Sequence, residues 1–160
     1  AVLGKFHTET LVWRAMMAGN GTLHRLLSHK LQVGNALQDT RGAVGAVVAL
    51  DRSHGRLRYA GIGNISTLIV QGKTVRRLVV RDGLLGGRLP TPHQETVELE
   101  KNAILVMHSD GLNTLRSLDT QATLLQRSAP VIAADLMANN LRGRDDASII
   151  VSRVSQARTL

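Results

Sequence analysis

The residues best suited to chemistry lie in two acidic loops, Met107-His108-Ser109-Asp110-Gly111 and Gly143-Arg144-Asp145-Asp146-Ala147-Ser148. In the first, an apolar run delivers an aspartate to a turn. The glycine beside it lets another group approach the backbone closely. In the second, two aspartates stand just before an apolar run. If the two runs are neighbouring strands, Asp110 and Asp145 converge. Carboxylates brought together repel unless a cation lies between them, and hard divalent ions such as Mg2+ or Mn2+ take oxygen ligands of this kind. The plainer alternative is that Asp110 and Asp146 are turn or capping residues, since Asp-Gly and Asp-Asp are common turn chemistry. On these residues alone both readings stand.

Other arrangements carry less. His24 and His29 are five apart, off the i, i+4 spacing of helical zinc pairs. His108, Ser109 and Asp110 are consecutive, and strand neighbours point to opposite faces, which argues against a Ser-His-Asp triad. Gly61-Ile62-Gly63-Asn64-Ile65-Ser66 has dinucleotide-like glycines but lies between two strands and opens no helix, the wrong context for that chemistry. Met16-Met17 reads as packing. Cysteine is absent, which excludes disulfides, thiol nucleophiles, zinc fingers and iron–sulfur clusters. Phe6, Trp13 and Tyr59 are the only aromatics, too few for a base-stacking platform.

The elements that must position the acidic loops follow from periodicity. Residues 7–18 and 22–31 have helical spacing and are separated by Gly19-Asn20-Gly21, which predicts an antiparallel helix pair. Short strands are expected at 43–50, 56–60, 67–70, 75–80, 96–99 and 103–107, joined by tight turns as an antiparallel meander. Asp119 reads as the N-cap of a helix reaching Gln126, and Pro130 as the first turn of another running to Asn140. A terminal strand spans 147–154. Strands grouped apart from helices indicate an α+β fold. With 160 residues, 43% hydrophobic, the chain is expected to form a single domain over 1–160. The formal charge of +8 favours an anionic partner, yet its 20 basic residues form no block. No run approaches the ~18 apolar residues of a transmembrane helix. The expectation is a cytoplasmic protein without membrane contact.

Five segments in order then resemble the SpoIIE-like branch of the metal-dependent (PPM-type, type 2C) protein serine/threonine phosphatases, and within it the small stressosome phosphatases of the RsbX kind. They are Thr40-Arg41-Gly42-Ala43, Tyr59-Ala60-Gly61-Ile62-Gly63-Asn64, Arg81-Asp82-Gly83-Leu84-Leu85-Gly86, Ile104 to Leu112 with its Ser109-Asp110-Gly111, and Gly143 to Val151 with its Asp145-Asp146. Each is weak alone; their order makes the likeness specific over residues 40 to 155.

The resemblance implies an antiparallel β-sandwich flanked by helix pairs, with two Mn2+ or Mg2+ ions at one end activating a water for attack on phosphoserine or phosphothreonine. By motif match Asp110 and Asp145 would be metal ligands, with Gly4, Gly111 and Asp146 supporting them from beside. The family's earlier "DGxGHG" segment corresponds to Leu3-Gly4-Lys5-Phe6-His7-Thr8. Gly4 and His7 keep its spacing, but Leu3 stands where the metal-bridging aspartate is expected. The family's first strands also have no counterpart here, and an open sheet edge would favour a homodimer. Two functions remain in competition. One is a phosphatase acting on a phosphorylated regulatory protein of the STAS-domain type. The other is a degenerate phosphatase fold that docks such a phosphoprotein without hydrolysis, Arg76, Arg77 and Arg81 contacting it. Nucleic-acid binding has no supporting motif.

Overall fold

The computed structural model of the chain describes residues 2–4, 43–85, 93–143 and 145–154. The predicted helix pair at 7–18 and 22–31 lies outside the described residues, as do Lys5, Phe6, His7, Thr8 and Arg144. The strands are β1 (Val2–Gly4), β2 (Gly45–Asp51), β3 (Arg56–Ile62), β4 (Ser66–Gln71), β5 (Thr74–Arg77), β6 (His93–Glu98), β7 (Ala103–His108) and β8 (Ser148–Val154). Two α-helices, α1 (Ala122–Leu125) and α2 (Ala129–Asn140), lie between β7 and β8. Among the described residues the class is mixed α/β with antiparallel sheets, as expected.

The strands do not form one meander. They divide into a five-stranded sheet ordered β1-β8-β7-β4-β5 and a three-stranded sheet ordered β2-β3-β6. Local hairpin signals fix only consecutive pairs such as β2–β3 and β4–β5. They are blind to the chain leaving one sheet for the other after β1, β3, β5 and β6. The chain accordingly groups into two compact units, one around each sheet.

In the five-stranded sheet, β7 and β8 are central and apolar. Every residue of β7 is buried, which explains why its sequence runs unbroken as Ala-Ile-Leu-Val-Met rather than alternating. One face carries Leu68, Val70, Ile104, Val106, Ile149 and Val151, packed with Ile132, Ala133 and Leu136 of α2 and with Leu112, Leu115 and Leu118. The buried α2 residues fall at i, i+1 and i+4, a single stripe. Fully burying a Leu or Ile contributes about 1.5–3 kcal/mol, so this stripe fixes α2. The helix begins behind Ser128 with Pro130 in its first turn, where a missing N–H costs nothing. Asp119 is not a cap: it lies inside a 3-10 turn, Leu118–Thr120, and α1 starts only at Ala122. The turn forms because buried Leu118 anchors it, and Ser117 before it is left-handed at φ 58°. Arg153 on β8 donates from Nε to the Arg127 carbonyl (3.1 Å) and from Nη2 to the carbonyls of Leu125 and Arg127.

In the three-stranded sheet, Tyr59, Leu57 and Ile62 of β3 are buried between neighbours on both sides. The Gly61-Ile62-Gly63-Asn64 segment carries the chain out of β3 toward β4. Gly61 accepts from the Arg81 N–H (3.2 Å) and Gly63 donates to the Arg81 carbonyl (2.8 Å), so this loop is paired rather than free to cradle a nucleotide. Gly63 has φ +98°, and a Cβ there would lie 2.1 Å from Val44 Cγ1. Gly63→Ala is therefore expected to lose about 2 kcal/mol or more of stability, through overpacking and a disfavoured backbone together. Gly72→Ala, at φ +56° with its nearest neighbour 3.9 Å away, has only the backbone term and should lose about 1 kcal/mol. Urea unfolding of the two variants tests the order.

The β2–β3 turn gives a pH prediction. Asp51 accepts from the Ser53 hydroxyl (2.6 Å), the His54 ring Nδ1 (2.8 Å) and the His54 N–H (3.2 Å). The Ser53 bond, then the His54 bond, hold its pKa at about 2 against an ordinary 3.8. Because the folded value lies below the unfolded one, the contribution is present above pH 3.8 and is lost as pH falls through about 2. Asp51→Asn should lower stability near neutrality. The gap to wild type should close as pH drops through that window in a pH series of thermal melts.

Candidate functional site

The two acidic loops meet because β7 and β8 are antiparallel neighbours, with His108 opposite Ile149. Chain leaving β7 and chain arriving at β8 therefore lie at the same end of the sheet. A network centred on Ser109 ties them. Its N–H donates to the Ser148 carbonyl (3.1 Å), its hydroxyl accepts from the Ser148 N–H (3.0 Å), and the same hydroxyl donates to the Asp146 carbonyl (3.3 Å).

Gly111 completes the contact. A Cβ at this position would lie 2.2 Å from the Asp146 carbonyl oxygen and 2.9 Å from Ala147 Cα. Only a residue without a side chain lets the two loops touch. Further along, the Asn113 N–H donates to the Asn140 carbonyl (2.8 Å), the Arg142 N–H to the Gly111 carbonyl (3.0 Å), and Leu112 bridges Leu141. Residues 109, 111, 112 and 113 are thus each tied to the second segment, at 146 and 148 or at 140–142. Asp110 is half-buried, while Asp145 and Asp146 are exposed. The Asp145 carboxylate accepts from the Asp146 N–H (2.8 Å), which orients one of its oxygens and leaves the other.

The register brings a third strand to this end. β1 pairs with β8 so that Leu3 is opposite Ile149 and Gly4 opposite Ser148. Gly4 therefore ends its strand in the same row as the residue that Ser109 holds. Leu3 occupies the row of Ile149 and His108.

Among the described residues no three His, Asp or Glu side chains gather into a metal-holding group. The donors at this end are the carboxylates of Asp110 and Asp145, with Asp146 beside them. That set suits one hard cation such as Mg2+, which keeps several waters and accepts one or two carboxylates plus substrate phosphate. It does not suit two ions sharing a bridging carboxylate, because leucine has no ligand atom.

His108 is buried, with Nδ1 2.8 Å from the Ser109 carbonyl and no partner for Nε2 among the described residues. Its pKa is held below the ordinary value. Burial is the main cause; the Ser109 bond opposes it, and the charges of Arg77 and Arg142 add to it. This imidazole lies inside the sheet end and is no partner for Ser109 in a triad.

The three arginines expected at a phosphoprotein contact do not act alike. Arg77 donates through Nη2 to the Leu115 carbonyl, which commits it to the loop after β7. Arg76, next along β5, projects to the opposite face and is exposed. Arg81 belongs to the other unit, where its main chain pairs with Gly61 and Gly63. The sequence reading weighed Ser109 only as a triad member; its hold on the second loop through Asp146 and Ser148 shows only in the strand register.

Solved structures share this architecture. One, from work on the bacterial stressosome as a modular system adapted to control secondary messenger signalling, superimposes with a TM-score of 0.69 at 25% identity, covering 79% of this chain and 66% of that chain. RsbX in complex with magnesium gives a TM-score of 0.64 at 18% identity, covering 87% and 78%. The phosphatase domain of the cell fate determinant SpoIIE from Bacillus subtilis, presoaked with Mn, gives 0.57 at 19% identity, covering 90% and 76%. No curated protein sequence matches the chain. The fold is that of the PPM-type phosphatases. The family model for Stage II sporulation protein E (SpoIIE) matches residues 10–155, and the chain belongs to that family.

Proposed function

We propose that this chain hydrolyses phosphoserine or phosphothreonine on a bacterial regulatory protein of the STAS-domain type. One divalent cation, Mg2+ or Mn2+, would be held by Asp110 and Asp145. The observation that carries this reading is the meeting of the two aspartate loops, through Ser109 and Gly111, at one end of the five-stranded sheet. Membership of the SpoIIE family supports it, and so do fold neighbours described with magnesium or manganese.

A bound ion would supply charge neutralisation at the phosphoryl oxygens and a more acidic water. The chain's own task is positional. Ser109 holds the Asp146 carbonyl and the Ser148 amide, which fixes where the second loop turns. Gly111 removes the side chain that would force the loops apart. Asp146 orients the Asp145 carboxylate through its N–H. Gly4 ends β1 in the same row.

A second reading has its own observation. The pairing of Leu3 with Ile149 supports the alignment that leaves leucine at the bridging position. On that reading the domain docks a phosphoprotein and does not turn it over.

Release of phosphate from an aryl phosphate with and without Mn2+, with Asp110→Asn alongside, separates the two. Hydrolysis predicts Mn2+-dependent turnover that falls at least about a hundredfold in Asp110→Asn, since loss of even a group that only supports a ligand typically costs about 10–100-fold. Turnover unchanged in that variant would falsify the ligand assignment. Docking predicts no turnover from folded protein. Leu3→Asp supplies the missing carboxylate and should raise Mn2+ affinity about tenfold or more by calorimetry. Unchanged affinity would refute the placement of Leu3 at the cation end.

A further inference from the structure

The end of the sheet that carries Asp110, Asp145 and Asp146 is acidic, yet the proposed reaction brings a phosphoryl dianion there. One ion of charge two leaves three carboxylates and a dianion far from neutral. A fixed cation of the chain is needed beside the acids.

Of the described arginines near this end, Arg77 is spent, bound to the Leu115 carbonyl. Arg142 is different. Its side chain is exposed and makes no hydrogen bond or ion pair among the described residues. Its backbone is pinned, because its N–H donates to the Gly111 carbonyl (3.0 Å) while Leu141 bridges Leu112. That register sets Arg142 opposite Gly111, and opposed residues in an antiparallel ladder share a face. On that face Gly111 offers no side chain, and its Cβ direction leads within 2.2 Å to the Asp146 carbonyl. Arg142 therefore starts from the face of the strand end that meets the Asp145–Asp146 loop.

We propose that Arg142 is the phosphate-positioning residue of this site, its guanidinium taking two phosphoryl oxygens while Asp110 and Asp145 face the cation. Guanidinium matches phosphate in a planar, two-pronged geometry that lysine cannot reproduce. The assignment rests on the reading of this end as a phosphate-handling site, and it adds a residue outside the aspartate motifs.

The test is calorimetric titration of the whole chain with inorganic phosphate, and separately with Mn2+, for wild type, Arg142→Met and Arg142→Lys. Because the anchoring bonds are main-chain, neither variant should change the melting temperature. Arg142→Met is expected to weaken phosphate binding about tenfold while leaving Mn2+ affinity alone, and to flatten its salt dependence. Arg142→Lys should recover part of the loss. Phosphate affinity equal in wild type and Arg142→Met overturns the proposal, as does a wild type that binds no phosphate. Phosphate binding that depends on Arg142 in a chain without Mn2+ affinity upholds the arginine and removes the cation-dependent phosphatase reading.

Discussion

The contact between Gly111 and the main chain of Asp146 constrains everything else at the acidic end of the sheet. Two loops bearing carboxylates are pressed together at backbone distance, an arrangement that charge repulsion disfavours. Hydrogen bonding from Ser109 to both sides of the second loop opposes that repulsion. The contact depends in turn on the β7–β8 register, because a slip of one residue would carry Ser109 away from Ser148 and turn every core side chain to the wrong face. The register is held by the apolar residues of β7 and β8 and by the α2 stripe that covers one face. Core packing far from the loops therefore sets the geometry of the carboxylates.

Electrostatics explains how the arrangement survives. Asp145 and Asp146 are exposed, so water screens them and their mutual repulsion is modest at physiological ionic strength. The buried polar group nearby is His108, which avoids the cost of a buried charge by remaining neutral. Its one hydrogen bond closes locally on the Ser109 carbonyl, so it also stiffens the turn that presents Asp110. Anionic side chains are left at the surface, where an ion or a cation of the chain can reach them. The groups that would be costly to charge stay inside.

Much of this was legible in the sequence, for identifiable reasons. The run Ala103 to Met107 declared a buried strand, and Pro130 declared a helix start, because both effects act within a few residues. Neighbouring strands for the two aspartate loops followed from the family likeness and from the apolar runs beside them. The family likeness implied two sheets, but which strand joins which sheet was not legible, since turn residues specify a hairpin and say nothing of where the next strand pairs. Asp119 was misread because an aspartate just ahead of a helix-like run has the local look of a cap. Tertiary burial of Leu118 overrode that preference and made a 3-10 turn. Arg76 and Arg77 read as one basic patch in the sequence, but strand alternation and the Leu115 carbonyl separate them.

Leu3 shows why scaffold and chemistry part company here. A position on β1 beside β8 must satisfy strand pairing, and leucine does that as well as aspartate or better. Pairing energy therefore exerts no pressure to keep a carboxylate there; only a bound cation would. The Ser109–Gly111 clamp, by contrast, serves the fold directly, since any side chain at Gly111 would strike the Asp146 main chain. Features that the fold needs for itself persist whether or not the domain turns over a substrate, so the clamp supports ancestry. The side chains whose presence would speak for chemistry are Asp110, Asp145 and, on the proposal above, Arg142. All three lie at one end of one sheet, within reach of loops that the fold already holds together.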